Sequence, residues 1–441
     1  MTGDTIFALA SGAGRAAIAV VRISGPRAGA VVQAMARRVP APRLATVRRL
    51  RDPRTSEVLD EALVLWFPGP ASYTGEDSAE FHLHGGRAVV AAVADALVSV
   101  GARPAEPGEF TRRAFLHGRL DLTAAEGIAD LIDAETEAQR RQALRQSGGA
   151  LGHLYASWAA RLTRILARQE AFIEFEEEDL PEDLDARVGV EAAMLRDEIG
   201  AHLAASDRSE RLREGLVFAI LGAPNVGKSS LLNALAGREA AIVSARAGTT
   251  RDLVEVVLDL GGAPVVLADT AGLRESADEI EAEGIRRALR RAEEASLLIT
   301  VFAANQEPDD ATLRILQRPD SSCLVVVNKC DLAAPPARLG GQEILAVAAQ
   351  TGEGLEVLRS RLAELAADRA GLTAAVGLTR PRHRAALEEA VHWLDDLSAA
   401  PLPEMRAEAL RAALAAIGRI TGRVGVEAIL DLVFGEFCIG K

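Results

Sequence analysis

The spacing of apolar and polar positions changes character twice along this chain and then reverts. Up to residue 118 short apolar runs alternate with glycine and proline. Residues 17–23 and 62–66 predict strands, and residues 89–100 a helix. From Leu120 the period is helical, through Ile128, Leu131 and Ile132 and on past Leu162, Ile165 and Leu166. Thr123-x-x-Glu126 predicts a capping box at its start. An acidic run at 174–183, broken by Pro181, reads as a solvated loop without chemistry. Leu216 opens a different texture. Residues 216–221 predict a strand, then come a glycine-rich turn and a helix over 230–236. Residues 253–260 and 264–268 flank Gly261-Gly262, a hairpin signal. Residues 296–303 and 323–327 are unbroken apolar runs of the kind buried in a parallel sheet, and 355–370 is an amphipathic helix. After Gly371 the alanine- and leucine-rich helical pattern returns through Ile420. The closing segment (Ile429, Leu430, Leu432, Val433, Phe434, Phe437) is apolar enough to dock.

The pattern predicts a multidomain α/β plus all-α protein. An α/β domain covers 1–118, a discontinuous helical domain covers 119–212 and 373–441, and a phosphate-loop domain at 213–372 is inserted into the second. The length of 441 residues agrees with about three domains. A net charge of −13 argues against a broadly basic nucleic-acid clamp, yet permits a local basic site or a partner that carries RNA. Three cysteines, Cys323, Cys330 and Cys438, fit neither a disulfide framework nor a zinc site, which points to a reducing cytoplasm. Asp4 and Arg15 argue against a secretory leader, and no apolar run is long enough to suggest a membrane partner.

Of fifty basic residues only Lys228, Lys329 and Lys441 are lysine. A lysine that survives such a bias is a candidate for work that needs a compact ammonium. Lys228 lies in Gly222-x4-Gly227-Lys228-Ser229, a phosphate loop between a strand and a helix. Its backbone N–H groups (Asn225, Val226, Gly227, Ser229, Ser230) and the helix N-terminus would cradle phosphate. Lys228 would reach the β- and γ-phosphates, and the Ser229 hydroxyl would ligate Mg²⁺. Gly248-Thr249-Thr250, Asp269-Thr270-Ala271-Gly272 and Asn328-Lys329-Cys330-Asp331 follow in order, at separations proper to a Ras-like G domain. Thr250 offers a hydroxyl to Mg²⁺ and an N–H to the γ-phosphate. Asp269 would hold a magnesium water, and Asp331 would accept two hydrogen bonds from guanine. Ala348, Ala349 and Gln350 occupy the remaining base-contact loop, with Ala348 where serine is usual. Leu273 stands where signalling GTPases carry a water-orienting glutamine, so another group must handle the water.

With Arg22-Ile23-Ser24-Gly25, Phe67-Pro68-Gly69-Pro70, Tyr73-Thr74-Gly75-Glu76-Asp77, His84-Gly85-Gly86, Pro107-Gly108-Glu109-Phe110-Thr111, Ala129-Asp130-Leu131-Ile132-Asp133-Ala134 and the closing Phe437-Cys438-Ile439-Gly440-Lys441, the chain resembles the MnmE (TrmE) family of tRNA modification GTPases over nearly its whole length. The resemblance implies a K⁺-activated GTPase that forms a homodimer. It acts on the wobble uridine of tRNA with an FAD-dependent MnmG-like partner, in a heterotetramer. A 5-formyl- or 5,10-methylene-tetrahydrofolate would lie against Arg22, Glu80, Arg119 and Lys441, although the family commonly has lysine where this chain has Arg119. K⁺ would be bound by Asn225, Ser244, Arg246 and Thr249, within a nucleotide-binding loop that also includes Ala245, Ala247 and Gly248. Glu281 would orient the catalytic water. The competing reading is a ribosome-assembly or translation GTPase, which would predict a basic RNA-binding domain or a second G domain. The sequence carries neither.

Overall fold

The computed structural model describes residues 3–12, 14–174, 184–237, 241–242, 255–269, 295–316, 323–370, 377–424, 430, 433–435, 437–438 and 440. They form two compact units. The first joins Met1–Ala129, Gln146–Gly189 and Trp393–Lys441, and the second joins Asp130–Arg145 and Val190–His392.

In the first unit, strands β1 (Thr5–Leu9), β2 (Ile18–Ser24), β3 (Thr46–Arg51), β4 (Val58–Phe67), β5 (Ser78–His84) and β6 (Ala102–Pro104) make one sheet in the order β3-β4-β5-β2-β1-β6. The β1–β6 pair is parallel and the other pairs are antiparallel. Side chains alternate between faces with period two. Val21, Ile23, Leu50, Val64, Phe81 and Leu83 therefore share one buried face, against Val31, Val32 and Met35 of helix Ala28–Ala36 and Val93 and Leu97 of helix Arg87–Ser99. The strand expected at 62–66 is the middle of the ten-residue β4. Arg22 and Glu80 are cross-strand partners on the opposite face, so the sheet register itself brings them together.

The helical part of this unit packs Ala150–Glu174 against Pro403–Thr421. Ala407, Ala409, Ala413, Ala416 and Gly418 are buried on the latter, and small side chains let two helices approach closely. The capping box is not where the sequence suggested. Helix Leu122–Asp133 begins two residues earlier, and its cap is Asp121, whose Oδ1 accepts from the Ala124 N–H (2.8 Å) and the Thr123 hydroxyl (2.7 Å). A Cβ on Gly152 would fall 1.9 Å from Asp121 Oδ2, so the capping carboxylate requires glycine in the neighbouring helix.

Leu430, Val433, Phe434 and Phe437 are buried with Leu122, Ala125 and Ala129, which docks the end of the chain. The approach is close. Cβ atoms on Gly108 and Gly440 would lie 2.4 Å from the carbonyl oxygens of Phe434 and Leu9 respectively.

The second unit holds β7 (Leu216–Leu221), β8 (Ala241–Ile242), β9 (Glu255–Leu260), β10 (Ala263–Asp269), β11 (Leu297–Ala303), β12 (Cys323–Asn328), β13 (Arg338–Leu339) and β14 (Gln342–Ala346), ordered β13-β14-β12-β11-β7-β10-β9-β8. The run β10-β7-β11-β12-β14 is parallel, and β9 returns antiparallel to β10 through Gly261 (φ +67°) and Gly262 (φ +92°). β11 is buried at all seven positions, as its apolar run requires. Asp130 Oδ1 accepts from both Arg213 Nε and Arg380 Nη2 at 2.9 Å, fastening the segment before β7 to the one after helix Leu355–Ala370. Gln139 and Gln142 donate to the carbonyls of Arg213 and Ser209 beside it. Among the described residues no helix is long and apolar enough to cross a membrane.

Candidate functional site

The nucleotide motifs gather because each follows the carboxyl end of a parallel strand. The phosphate loop follows β7, Asn328-Lys329-Cys330-Asp331 overlaps the end of β12, and Ala348-Ala349-Gln350 lies just past β14. Ligands of open α/β sheets sit at this edge. Gly227 (φ +94°) caps helix Lys228–Ala236, and Cβ atoms on Gly222 and Gly227 would lie 2.2 Å from Val301 O and 2.3 Å from Asn328 Nδ2. Both glycines are therefore sterically required, and the loop closes as a ring of backbone. Lys228 is buried, and its Nζ donates to the carbonyls of Gly222 and Ala223 at 2.8 Å each. That places an ammonium over the loop where polyphosphate would rest, so the residues fit an Mg²⁺–nucleotide.

Asn328 and Lys329 knit the loops together. Asn328 Nδ2 donates to Val226 O (3.0 Å), and its Oδ1 accepts from the Ala349 N–H (3.0 Å). One side chain thus fixes the phosphate loop relative to the base-contact loop. Lys329 Nζ donates to the Asn225 carbonyl at 2.7 Å. Asn225 has φ +62°, a left-handed conformation asparagine tolerates, and its side chain is exposed. Asp331 is exposed, ready for a base. Ala348 does without the usual serine hydroxyl. Its carbonyl accepts from the Thr351 and Gly352 N–H groups, and its own N–H donates to Glu353. Ser229 and Ser230 stand on the first turn of helix Lys228–Ala236. Cys330 donates to Val327 O, and burial pushes its thiol upward, so it is a packing group.

In the first unit Arg22 Nε donates to Glu80 Oε1 (3.1 Å), and His82 Nε2 lies 3.4 Å from Glu80 Oε2. The Arg22 guanidinium lies over the rings of Tyr73 and Phe110, 5.4 and 5.8 Å from their centroids. The Tyr73 hydroxyl shares a hydrogen bond with Thr111. Arg119 is exposed, with its stem beside the Gly75 turn (φ +81°). Arg22, Glu80 and Arg119 thus border one region of the Tyr73–Gly75 loop. A guanidinium between aromatic rings, with a carboxylate at its edge, suits a planar ligand carrying both hydrogen-bond donors and carboxylates. The Cys438 carbonyl meets the Gly108 N–H at 3.5 Å, next to Phe110.

Beneath this region lies a buried charge cluster that the sequence did not disclose. Arg113, 4% exposed, donates to Asp4 Oδ1 (2.8 Å), Glu109 Oε1 (2.9 Å) and Glu76 Oε2 (3.2 Å). Ser24 donates to Glu76 at 2.9 Å. Burial opposes ionisation of Glu109 and Asp4, but hydrogen bonds from Arg103 and Arg113 hold both carboxyls below their ordinary values. Tyr73, Phe110 and the contact from Lys329 to Asn225 were likewise missed. The only signal for the first two was their place in conspicuous sequence segments.

Ser244, Ala245, Arg246, Ala247, Gly248, Thr249, Thr250, Thr270, Ala271, Gly272, Glu281 and Lys441 lie outside the described residues. Asp269 ends β10, with its backbone at the edge that carries the phosphate loop.

A family model for the MnmE helical domain matches residues 122–438, and one for the GTP-binding protein TrmE N-terminus matches residues 5–119. The tRNA modification GTPase MnmE of Gluconacetobacter diazotrophicus is 57% identical over 439 residues, covering 99% of this chain and 98% of that protein. The proteins of the same name from Granulibacter bethesdensis and Paramagnetospirillum magneticum are 53% and 55% identical, over 100% and 99% of this chain and the whole of each relative.

Proposed function

The chain belongs to the MnmE family of tRNA modification GTPases and is a GTP hydrolase, and from that premise we propose that potassium switches its hydrolysis on. The observation that carries this reading is the committed Asn225 carbonyl. Lys329 occupies it, and the Asn225 side chain is exposed, so its amide oxygen is available to a cation. Ser244, Arg246 and Thr249 would supply the remaining oxygens, Arg246 through its carbonyl. Ser229 and Thr250 would hold Mg²⁺, which neutralises phosphate charge when bound, while Lys228 and the loop N–H groups orient the β- and γ-phosphates. Glu281 would position the attacking water, a task Leu273 cannot perform.

GTP turnover should rise by about 10² on replacing Na⁺ with K⁺, the scale of one well-placed charge-stabilising group. Asn225→Ala should flatten the response without weakening GTP binding. In the same assay Glu281→Ala should lose turnover while keeping nucleotide affinity. Steady-state phosphate release with each cation is the measurement, and a wild-type rate indifferent to the cation overturns the potassium site.

We further infer a tetrahydrofolate one-carbon site at Arg22, Glu80, Arg119 and Lys441, and action on tRNA as a homodimer with an FAD-dependent partner in the cytoplasm. The domain limits that go with this reading are 1–118, 119–212 with 373–441, and 213–372. The Arg22–Glu80 pair supports the folate site, since Glu80 can accept from a pterin edge while Arg22 holds it in place. Glu80→Gln should weaken 5-formyltetrahydrofolate binding about tenfold, the worth of one hydrogen bond to a charged group. Isothermal calorimetry measures this, and unaltered affinity would remove Glu80 from the site.

A further inference from the structure

Residues 37–54 hold seven arginines (37, 38, 43, 48, 49, 51 and 54) and a single carboxylate, Asp52. With 47 arginines in 441 residues, a stretch of that length would hold about two. The bias against lysine explains why these residues are arginine but not why they gather, in a chain whose net charge is −13. The fold places them along β3 and the segments that flank it, with the consecutive Arg48 and Arg49 on opposite sides of the strand. Arg37 ends helix Ala28–Ala36, Arg43 precedes β3 and pairs its N–H with the Trp66 carbonyl (2.8 Å), and Arg48, Arg49 and Arg51 lie on β3 itself. Arg54 stands in the turn beyond. Six strand residues at about 3.3 Å each make β3 roughly 20 Å long, enough to span several phosphates.

Arg37, Arg38, Arg43, Arg49 and Arg54 are exposed, and Arg48 and Arg51 are half-buried. Arg49 pairs with Glu61 and Arg54 with Asp52. Among the described residues the other five have no ion-pair partner. β3 is the terminal strand of its sheet, so its outer edge meets no other strand there.

We propose that this edge is an RNA-docking surface, on which the phosphate backbone of the tRNA rests. The inference rests on the family's action on tRNA but not on the potassium or folate sites. Phosphate contacts need clustered guanidinium groups and little else, and no other eighteen-residue stretch of the chain holds as many arginines. A second copy pairing edge to edge would set these arginines against their own counterparts, and like charge on an edge strand disfavours such pairing. Exposed Leu44 and Val47 could instead serve a protein interface, and the test separates the two.

The full chain carrying Arg43→Gln, Arg48→Gln and Arg51→Gln together is compared with wild type for binding of an unmodified tRNA transcript. Fluorescence anisotropy is read from 50 to 200 mM KCl. Each lost phosphate contact should lower the slope of log affinity against log salt by about 0.7–0.9, so the triple variant should lose about 2 and bind at least about tenfold more weakly. GTP turnover and melting temperature should not change, and the matching triple lysine variant should bind as wild type does. Should the glutamine variant melt early, Arg37→Gln with Arg38→Gln serves as an independent probe at the same edge. An unchanged slope and affinity overturns the proposal. So does a variant that dissociates into monomers by sedimentation while keeping its RNA affinity, which would assign the edge to a second copy.

Discussion

Asp331→Asn should lower GTP affinity by about 10² or more and raise affinity for xanthosine triphosphate. A carboxylate accepts from guanine N1–H and the exocyclic N2–H₂ together, whereas an amide offers one acceptor and one donor. The donor faces N2–H₂ unproductively but matches the xanthine 2-carbonyl. Sites that read a base by paired hydrogen bonds discriminate by as much as ~10⁴–10⁵, because the mismatch leaves buried polar groups unpaired. The surroundings of Asp331 do not depend on its carboxylate. Cys330 N–H is bound to Val347 O, Leu332 N–H to Lys329 O, and Asn328 holds the loops by its own amide. The variant should therefore melt with wild type. Titration with fluorescent guanine and xanthine analogues is the measurement, and equal GTP affinity in both proteins would show that Asp331 does not read the base.

The second large effect concerns stability. Arg113→Met would fill the same space without charge and leave Asp4, Glu76 and Glu109 facing one another. Removing one member of a buried ionic set costs up to about 3–5 kcal/mol, and here Arg103 still pairs with Asp4 and Glu109 while Glu76 loses its guanidinium partner. For a domain of this size that is a fall of roughly 6–20 °C in the transition of the first unit. The pH dependence gives a second readout. Asp4 and Glu109 have depressed values in the folded state, so their stabilisation is present above their unfolded values, about 3.9 and 4.3. It is lost as pH falls through the lower folded values. Wild type should therefore weaken below about pH 4, while the variant, which keeps only the Arg103 share of that contribution, should show a shallower acid limb. Calorimetric scans between pH 3 and 7 measure both, and a variant within 1 kcal/mol of wild type at pH 7 would mean that the cluster does not hold the unit together.

Legibility in the sequence followed burial. β7, β11 and β12 were evident because a strand covered on both faces leaves an unbroken apolar run. β3 was invisible for the opposite reason. Thr46–Arg51 has one core residue, Leu50, and its other positions are arginine, threonine and a solvent-facing valine. β5 was hidden in the same way by Glu80, His82 and His84 on its open face. At Asp121 two competing caps lay two residues apart, and only the geometry of the turn chose between them. The nucleotide loops could be read because each is contiguous in sequence. The Arg113 cluster could not, because it joins residues 4, 76, 109 and 113, and no local spacing encodes a contact across more than a hundred residues. Tyr73–Asp77 and Pro107–Thr111 stood out as segments with no assigned task. The structure brings them together through the Tyr73–Thr111 contact, and Glu76 meets Arg113 just beyond the second segment.

The carboxylate of Asp130 bears on how such a chain could have been assembled. Between Arg213 and Arg380 the polypeptide builds an eight-stranded sheet with its helices, yet both arginines return to the same oxygen atom. A segment whose two ends meet can be gained, lost or exchanged in evolution without disturbing its host, because the surrounding chain is asked only to bridge a short gap. Within the second unit, Asp130 is then the stitch that draws together the two strands of chain on either side of the sheet.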